Sequence, residues 1–432
     1  MNRTSKFNKK KNKEKMPPQL FHSFGKTPFK NKSEIYSELM ADLERVIIDD
    51  KYLEKSEIQE KIDVLCKWLC TTPKTSIYRL DNFADLEKLL KALKQDNKPD
   101  PSVHCLPDLP NEIVAVDCWN SSVPLDLKRY PDEIIVDAAC GAAVLRGSHI
   151  YAPGIIGMPN GLTVDTKVSV FADVVGQCKK GLIKPYPENN KIYLGNGVLR
   201  QTRKQLFGKT AKHPCPQPGE TILDMCAAPG NKTTHISVLM KEQGTIIALD
   251  KNPGKVARFK ENCKGKNIKI FCYDATKAVV HERERSSACI DDQPPFEENH
   301  FDRVLLDTPC SALGQRPQLY NTITSAQLRS YVSLQRNLFF AAVRLLKPGG
   351  TLVYSTCTVT IAENEGIIAW ALNRFPELTL KSVKDQIKTD RYGTHGYIID
   401  GFVSENANKV RRFGPESDSV GFFIACLRKQ YS

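Results

Sequence analysis

The sequence predicts an α/β protein whose C-terminal half is a doubly wound, largely parallel sheet. Short apolar strands alternate with helical segments over residues 218–432, which is the pattern of a parallel sheet covered by helices on both faces. Two of these strands end in a cysteine among small polar residues, in FDRVLLDTPCSALG (301–314) and GTLVYSTCTVT (350–360). Residues 111–207 instead carry short β-like runs separated by Gly, Pro and Asn, which predict a small barrel.

The composition is that of an ordinary globular protein, with 41% hydrophobic and 26% charged residues among 432. No apolar run approaches the ~20 residues that a membrane helix needs, so no membrane partner is expected. Without a secretory signal, the 14 cysteines indicate free thiols in a reducing compartment. We therefore expect a cytoplasmic protein, with a nuclear location as the alternative because the N-terminal tail is basic. Because no CxxC occurs, no metal site is expected.

Positive charge is in excess and is unevenly placed. The net charge of +13 favours a polyanion such as a nucleic acid as the partner. Part of the excess lies in residues 1–30, a Lys-rich tail that we expect to be disordered. Residues 31–110 follow as a small N-terminal α/β unit. Its expected elements are helices over 33–49, 56–70 and 84–94 and a strand over 76–80.

The predicted barrel concentrates basic residues beside Gly-rich turns. Arg146, Lys179 and Lys180 lie in such turns, and Tyr151 is an aromatic ring available for stacking. Basic residues interleaved with an aromatic suit single-stranded nucleic acid. Solvated loop charges explain the same pattern equally well, so the residues alone leave both interpretations open.

The two strand-end cysteines, Cys310 and Cys357, are the candidate reactive groups. The carboxyl ends of parallel strands meet at one edge of an open sheet, where such proteins place their sites. A thiolate is a strong nucleophile at neutral pH, so one thiol can attack while the other assists. Most of the other cysteines are expected to be small core residues.

A second candidate site lies at the first strands of the sheet. The run TILDMCAAPGNK (221–232) predicts a strand, a tight turn at Gly230 and a helix whose N-terminus faces a ligand. Asp250 ends the next strand, where an acid binds a ribose diol, and Asp274 ends the third, where it can hold an adenine amino group. No GxGxxG is present, so a dinucleotide is not expected. Carboxylates at successive strand ends fit S-adenosylmethionine, which presents a sulfonium and a ribose but no phosphate; ordinary turns with capping acids are the alternative.

On these residues the chain resembles the NSUN family of RNA cytosine-5 methyltransferases. The matching segments are CAAPGNKT (226–233), ALD (248–250), DTPCSALG (307–314) and STCTVT (355–360). Three further segments resemble a PUA domain and, with GQRP (314–317), indicate the transfer-RNA-specific branch: CGAAVLRGSHIYAPGI (140–155), CKKG (178–181) and YLGNG (193–197). The resemblance implies a Rossmann-like S-adenosylmethionine-dependent methyltransferase domain over 218–432 and an inserted PUA-like β-barrel over 111–207.

The resemblance also implies a role for each matched residue. Cys357 would attack carbon 6 of cytosine, and Cys310 would assist release of the adduct. Asp307 would touch the polar edge of the base, and Lys232 would lie between the donor and base pockets. The binding site of the methyl donor would be lined by Cys226, Ala227, Ala228, Pro229, Gly230, Asn231, Lys232, Asp250, Asp274 and Asp307.

The substrate that the resemblance implies is transfer RNA, methylated in the acceptor stem near the CCA end. The PUA-like unit would grip that end with Arg146, Tyr151, Lys179 and Lys180. We expect a monomer without an obligatory protein partner.

The chain departs from the family pattern in three places. Asn231 and Ala312 stand where the family has Gly, and only a short link joins residue 207 to residue 218. One alternative is therefore an RNA-binding protein that keeps the fold but has lost turnover. Another is a DNA cytosine-5 methyltransferase, in which Cys310 would be the nucleophile.

Overall fold

The structure is a computed structural model. It describes residues 26–73, 75–79, 103–105, 113–117, 129–145, 150, 154–159, 162, 165–179, 182, 186–198, 219–263, 267–280, 292–384, 393–416 and 420–431. Most of the expected tail, the helix expected over 84–94 and the link from 207 to 218 lie outside these residues, as do Arg146, Tyr151 and Lys180.

Two helices and a hairpin form the first part of the described chain. They are α1 (Lys32–Leu43), β1 (Val46–Ile48), β2 (Lys51–Tyr52) and α2 (Lys55–Leu69). The helix expected over 33–49 was therefore too long. It ends at Leu43 because the following residues 46–48 pair as a strand instead. The chain then turns back at Asp49 and Asp50, both with positive φ (49° and 61°), so that β1 and β2 form a hairpin with a two-residue turn.

These N-terminal helices share a hydrophobic core with the C-terminal half of the chain. Leu39 of α1 and Ile62 of α2 are buried in one cluster with Leu313 and Val359, which follow Cys310 and Cys357 within the two cysteine motifs. Burial of this kind supplies most of the stability of short helices. The first residues of the predicted α/β unit therefore support the loops that carry the candidate thiols.

A small antiparallel sheet has the order β3-β5-β4, from β3 (Thr75–Arg79), β4 (Val103–Cys105) and β5 (Ile113–Asp117). The sequence placed the strand IVAVD in the barrel segment, on the far side of a boundary at residues 110 and 111. That assignment is wrong: β5 pairs with β3 and β4, and Ala115 between them is fully buried. A short apolar run predicts a strand but not the strands with which it pairs.

The inserted segment contains a four-stranded sheet with the order β7-β6-β8-β9. Its elements are β6 (Glu133–Val136), α3 (Ala138–Leu145), β7 (Ile155–Gly157), β8 (Lys167–Asp173) and β9 (Lys191–Val198). β6 and β8 run parallel, and the outer pairs are antiparallel. Within the described residues the sheet is open, with β7 and β9 at its edges, so the closed barrel that the sequence predicted is not shown.

The C-terminal half forms an eight-stranded sheet with helices between its strands. Its elements are β10 (Thr221–Asp224), α4 (Asn231–Leu239), β11 (Thr245–Asp250), α5 (Pro253–Asn262), β12 (Ile268–Cys272), β13 (Phe301–Asp307), α6 (Ser325–Leu345), β14 (Leu346–Thr356), α7 (Glu365–Arg374), β15 (Leu378–Lys381), β16 (Ile398–Ile399), α8 (Ser404–Ala407), β17 (Arg411–Phe413) and β18 (Phe422–Lys429). β16 is the exception, since it pairs with β1 outside this sheet.

The strand order of this sheet is β12-β11-β10-β13-β14-β18-β15, with β17 also paired to β18. The strands from β12 to β14 are parallel, and β18 is antiparallel to both of its neighbours on the path. The chain order reverses direction at β10, which lies between β11 and β13. Ligands bind at such a switch point, outside the carboxyl ends of the strands. The predicted doubly wound α/β fold is confirmed.

The main core lies on this sheet. It joins strand residues such as Leu223, Val304 and Leu352 to α6 residues such as Phe339 and Ala342. None of the helices in the described ranges is long and apolar enough to cross a bilayer.

Candidate active site

The fold brings the two cysteine motifs together. β13 and β14 are neighbouring parallel strands, and Asp307 at the end of one is in register with Ser355 near the end of the other. Cys310 follows β13 and Cys357 follows β14, and their Sγ atoms lie 3.4 Å apart. The paired thiols that the sequence predicted at one edge of the sheet therefore exist as a contact.

The two thiols have pKa values that are pushed apart. A hydrogen bond from Cys310 lowers the pKa of Cys357, with help from the charge of Lys232 and against the effect of burial. The same hydrogen bond, together with burial, raises the pKa of Cys310. Because the thiolate is the nucleophilic form, this asymmetry favours Cys357 as the attacking group and Cys310 as the group that keeps its proton.

An ion pair lies beside the thiols at the same edge. Lys232 Nζ is 2.5 Å from Asp307 Oδ2, and Ser355 Oγ donates to Asp307 Oδ1 at 2.7 Å. Both charged side chains are partly open to solvent, Lys232 at 44% and Asp307 at 27%. Lys232 also lies over the ring of Phe422, 5.2 Å from its centroid. The arrangement offers a carboxylate and an ammonium to a polar ligand that approaches the thiols.

Backbone contacts bring the loops after the cysteines close to each other. Gly314 N–H donates to the Cys357 carbonyl at 3.0 Å, and Gly421 N–H donates to the Gly314 carbonyl at 2.6 Å. A Cβ atom at Gly314 would lie 2.6 Å from the Gly421 oxygen, so only glycine fits there. Ala312 has φ +57°, a left-handed conformation that explains why a glycine suits this position.

The predicted turn at Gly230 is present, but for a different reason from the one expected. Gly230 has φ +102° and precedes α4, and a Cβ atom there would lie 2.1 Å from the ring of Phe259. Packing against α5 therefore requires a glycine at position 230, whereas the sequence suggested that a glycine was needed for the close approach of a ligand. Asn231 is the first residue of α4 and has no positive φ, so the family's glycine at this position is not needed for backbone geometry.

Carboxylates converge around the turn that precedes α4. The pKa of Cys226 is raised well above its usual value by burial and by the charges of Asp224, Asp250 and Asp307. These acids belong to the ends of β10, β11 and β13, as expected for the carboxyl edge of a parallel sheet. A cationic ligand suits such an edge.

The other two predicted donor-site acids are held by local hydrogen bonds. Asp250 Oδ1 accepts from Asn252 N–H at 2.8 Å. Asp274 caps the 3-10 turn Ala275–Lys277, accepting from Thr276 N–H at 3.0 Å and Thr276 Oγ1 at 2.7 Å. Burial raises the pKa of Asp274, but these hydrogen bonds and nearby lysines outweigh it, so its pKa is lowered and it stays charged.

Sequence reasoning missed Asp224, at the end of β10. Its Oδ2 accepts from Thr233 Oγ1 at 2.7 Å, whereas its Oδ1 is buried and has no hydrogen-bond partner in the described structure. Burial raises the pKa of Asp224 to about 7. The signal was available, because an acid ends this strand as Asp250 ends the next. A buried acceptor without a donor among carboxylates fits S-adenosylmethionine, which carries an ammonium and a sulfonium group.

Sequence reasoning also missed Glu363, which contacts both cysteine loops. It is 1% exposed and accepts hydrogen bonds from Ser311 N–H at 2.9 Å and Thr360 Oγ1 at 2.8 Å. The only signal was that an acid, Glu363, follows the neutral run TVTIA (358–362) after Cys357, a position more typical of a helix start.

Of the predicted RNA-binding residues, the structure describes Lys179. It is exposed and follows β8, and its carbonyl accepts from Leu182 N–H at 3.1 Å. The loop before it is organised by Asp173, which is 2% exposed. Arg146, Tyr151 and Lys180 lie outside the described residues.

Comparison with known proteins identifies relatives that match most of the chain. A family model described as 16S rRNA methyltransferase RsmB/F matches residues 213–428. The human protein named tRNA (cytosine(72)-C(5))-methyltransferase NSUN6 is 36% identical over 450 residues, covering 86% of this chain and 92% of that protein. A Pyrococcus horikoshii protein named tRNA (cytosine(72)-C(5))-methyltransferase is 36% identical over 328 residues, covering 68% of this chain and 75% of its own length.

A solved structure agrees with these sequence matches. The crystal structure of NSun6 from Pyrococcus horikoshii with SFG has a TM-score of 0.58 and 25% identity, covering 94% of this chain and 99% of that one. The family model matches half of the chain, and the human relative is matched over nearly its full length. The chain therefore belongs to the NSUN family of RNA cytosine-5 methyltransferases.

Proposed function

We propose that this protein methylates carbon 5 of a cytosine in transfer RNA with S-adenosylmethionine as the methyl donor. The observation that carries the proposal is the 3.4 Å contact between Cys310 and Cys357 beside the Lys232–Asp307 ion pair. The relatives named for cytosine 72 of transfer RNA support the substrate and point to the acceptor stem near the CCA end.

The chemistry needs two thiols because carbon 5 of cytosine is a poor nucleophile. Addition of the Cys357 thiolate to carbon 6 makes carbon 5 electron-rich. The donor would supply an electrophilic methyl group to carbon 5; its methyl–sulfur bond would break, and the rest of the donor would leave as a neutral thioether. A base then removes the carbon-5 proton, and the carbon–sulfur bond to Cys357 breaks to release methylated cytosine. Cys310, whose pKa is raised, keeps its proton during attack and assists release, directly or through water.

The ion pair between Lys232 and Asp307 has a role in these reaction steps. Asp307 lies at the edge where the polar side of the base would enter, and Lys232 and Ser355 hold its carboxylate. A carboxylate there accepts from the exocyclic amine or a protonated N3 and stabilises the adduct. Because the target base must leave its stack to reach the thiols, the RNA must open locally.

The donor would bind at the carboxyl ends of β10 to β12. Asp250 would hold the ribose hydroxyls, and Asp274 the adenine amino group, as acids in these positions do. Residues 226–232 would border the donor's amino-acid part, near the unpartnered Oδ1 of Asp224. S-adenosylmethionine fits this set because it brings cationic groups to a cluster of carboxylates.

We propose that the inserted segment is a PUA-like RNA-binding unit that grips the CCA end. Its mixed four-stranded sheet and its exposed Lys179 support this, together with the sequence resemblance over 140–197. Arg146, Tyr151 and Lys180 would complete the surface.

We also propose a cytoplasmic monomer. The ten cysteines whose side chains the structure describes are free, which agrees with a reducing compartment. Cell fractionation and light scattering of the purified protein test the location and the monomeric state, respectively; recovery in nuclei or a stable dimer would contradict them.

Bisulfite sequencing of transfer RNA incubated with the protein and S-adenosylmethionine tests the proposed reaction. We expect one protected cytosine in the acceptor stem and none in a DNA oligonucleotide of the same sequence. Methylation of the DNA alone would make the protein a DNA methyltransferase. Binding of the donor and the RNA without methyl transfer would instead show an RNA-binding protein that has lost turnover.

A further inference from the structure

Glu363 accepts four side-chain hydrogen bonds in the interior of the protein. Its Oε1 accepts from Ser311 Oγ at 2.5 Å and Thr360 Oγ1 at 2.8 Å. Its Oε2 accepts from Ser311 N–H at 2.9 Å and Gln335 Nε2 at 2.9 Å. Its own carbonyl accepts from Tyr354 OH at 2.6 Å. Within the described residues, each of these donors is a neutral group.

Burying a carboxylate that is held only by neutral donors costs folding free energy unless its oxygens are well supplied with hydrogen bonds. Glu363 is 1% exposed, and the side chains of Ser311 and Gln335 around it are also buried. Filling this place with an apolar side chain of similar size often costs little stability in other proteins. What the carboxylate adds is a fixed direction for each donor, which an apolar side chain cannot supply.

The donors belong to the segments that carry the two thiols or, in the case of Gln335, contact one of them. Ser311 follows Cys310, and its hydroxyl is also 2.7 Å from Thr358 Oγ1, which follows Cys357. Gln335 of α6 donates both to Glu363 and to the carbonyl of Pro309, which precedes Cys310. A single carboxylate therefore ties both sides of the Cys310 position to the segment after Cys357.

We propose that Glu363 is the positioning residue of the thiol pair, holding the loops of Cys310 and Cys357 so that their sulfur atoms stay in contact. It touches neither thiol and acts through Ser311, Thr360 and Gln335. The effect of Glu363 on methylation rests on the proposed function, because only in that reaction must one thiol attack while the other assists release. Its effect on the distance between the two sulfur atoms does not depend on the proposed function.

The pattern of donors predicts how substitutions behave. A glutamine at this position can keep its oxygen on the side of Ser311 N–H and Gln335 Nε2. Its amide then donates to the hydroxyls of Ser311 and Thr360, which can rotate to accept. Glu363→Gln should therefore keep the thiols together, whereas Glu363→Ala leaves four donors without their acceptor.

A trivalent arsenical measures the thiol pair without RNA or methyl donor. Phenylarsine oxide binds two adjacent thiols by forming two arsenic–sulfur bonds and releasing water. We expect Glu363→Ala to weaken its binding by about tenfold, equivalent to ~1.4 kcal/mol of lost preorganisation, and Glu363→Gln to stay close to the unmodified protein. Cys310→Ala gives the background from other cysteines. Alkylation of Cys357 by iodoacetamide, which needs one thiol, should change much less.

Glu365→Ala is the matched control. Glu365 is equally buried at the start of α7, but it pairs with Arg412 (2.8 and 2.9 Å) and accepts from Tyr397 N–H. Its loss should lower the melting temperature while arsenical binding by the folded protein stays unchanged. An equal loss of arsenical binding in both alanine variants, or no loss in Glu363→Ala, would overturn the proposal.

Two further variants keep the proposal testable if Glu363→Ala does not fold. Gln335→Ala and Thr360→Val each remove one donor and should each weaken arsenical binding by a smaller factor. Unchanged binding in both would also overturn the positioning role. With transfer RNA, Glu363→Ala should slow formation and release of the covalent adduct while donor affinity is kept. Normal arsenical binding with no methylation by the unmodified protein would refute the proposed function and leave the positioning role standing.

Discussion

Two buried carboxylates organise the two proposed functional regions, and they do so over different distances along the chain. Asp173 in the inserted sheet accepts from the N–H groups of Val175, Gly176 and Cys178 at 3.1, 3.0 and 2.8 Å and from Tyr186 OH at 3.1 Å. Glu363 accepts the same number of side-chain hydrogen bonds, but from residues 52 and 28 positions away as well as from its own turn.

The difference matches what each region must do. In the proposed function, the loop that carries Lys179 would present charge to a flexible polyanion, and a local turn around Asp173 is enough for that. The loops that carry the thiols have to keep two sulfur atoms in contact, and misplacement by about 1 Å can cost on the order of 100-fold in rate. Precision of this kind requires elements that are distant in sequence to be tied together.

The largest expected effect is at the thiols themselves. Cys357→Ala should abolish both methylation and the covalent RNA adduct, because the nucleophile is lost. Cys310→Ala should slow release and leave an adduct that survives a denaturing gel. Gel shifts under denaturing conditions and methyl transfer from labelled donor measure both. An adduct that persists in Cys357→Ala and disappears in Cys310→Ala would reverse the two roles.

Removal of Asp173 tests whether the local carboxylate acts only locally. Asp173→Ala leaves three backbone donors and Tyr186 OH without an acceptor and should destabilise the inserted sheet by about 2–3 kcal/mol. Transfer RNA affinity should fall, while donor affinity and arsenical binding by the thiols stay unchanged. Denaturant unfolding, filter binding and calorimetry measure these in turn. A change in the thiols would show that the two regions are coupled.

Asp224 is a third buried carboxylate, and it differs from the other two because one oxygen has no partner. Its pKa is raised by burial from 3.8 to about 7, so the folded state holds this proton more tightly than the unfolded state. The stabilisation is present below about pH 3.8 and is lost as the pH rises through about 7. Between these values the free energy of unfolding should decrease with pH.

Asp224→Asn cannot titrate and should flatten that decrease by a few kcal/mol across the window. Denaturant unfolding of the donor-free protein between pH 4 and pH 8 measures it. Asp42, whose pKa burial raises to about 6, titrates in both proteins, so the comparison must be made between the variants at each pH. Identical slopes would show that Asp224 titrates normally.

Asp250→Ala separates the donor site from the thiols. Loss of a charge-assisted hydrogen bond to the ribose should weaken S-adenosylmethionine binding by about 1–3 kcal/mol. Transfer RNA affinity and arsenical binding should barely change. Calorimetry that finds unchanged donor affinity would remove Asp250 from the ribose role.

The smallest expected effect is at Lys179. If it contacts one phosphate, Lys179→Ala should lower the slope of log K against log salt by about 0.7, the value for one contact with a single strand. Donor affinity should not change. A shift that is the same for a transfer RNA with and without its CCA end would show that Lys179 reads another part of the molecule.

Patterns that are local in sequence predicted much of this protein. Apolar runs ending in TPC and STC indicated parallel strands with thiols at their carboxyl ends, and the contact between Cys310 and Cys357 confirms that they meet. The sequence also predicted acids at the ends of strands, as with Asp250 and Asp307. Asp224, an acid at the end of the neighbouring strand, could have been predicted in the same way.

The pairing of distant elements was decided only by the tertiary structure. The strand β5 is a short apolar run like those of the inserted segment, yet it pairs with β3 and β4, because an apolar run does not specify its partners. The glycine at Gly230 is required by Phe259 in another helix. Glu363 lies in an unremarkable stretch, and its hydrogen bonds to Ser311 and Gln335 exist only after β13, α6 and β14 have packed together. The sequence by itself determined which groups are candidates to react, whereas packing between distant segments determined how closely they are held, since such contacts leave no periodic signal along the chain.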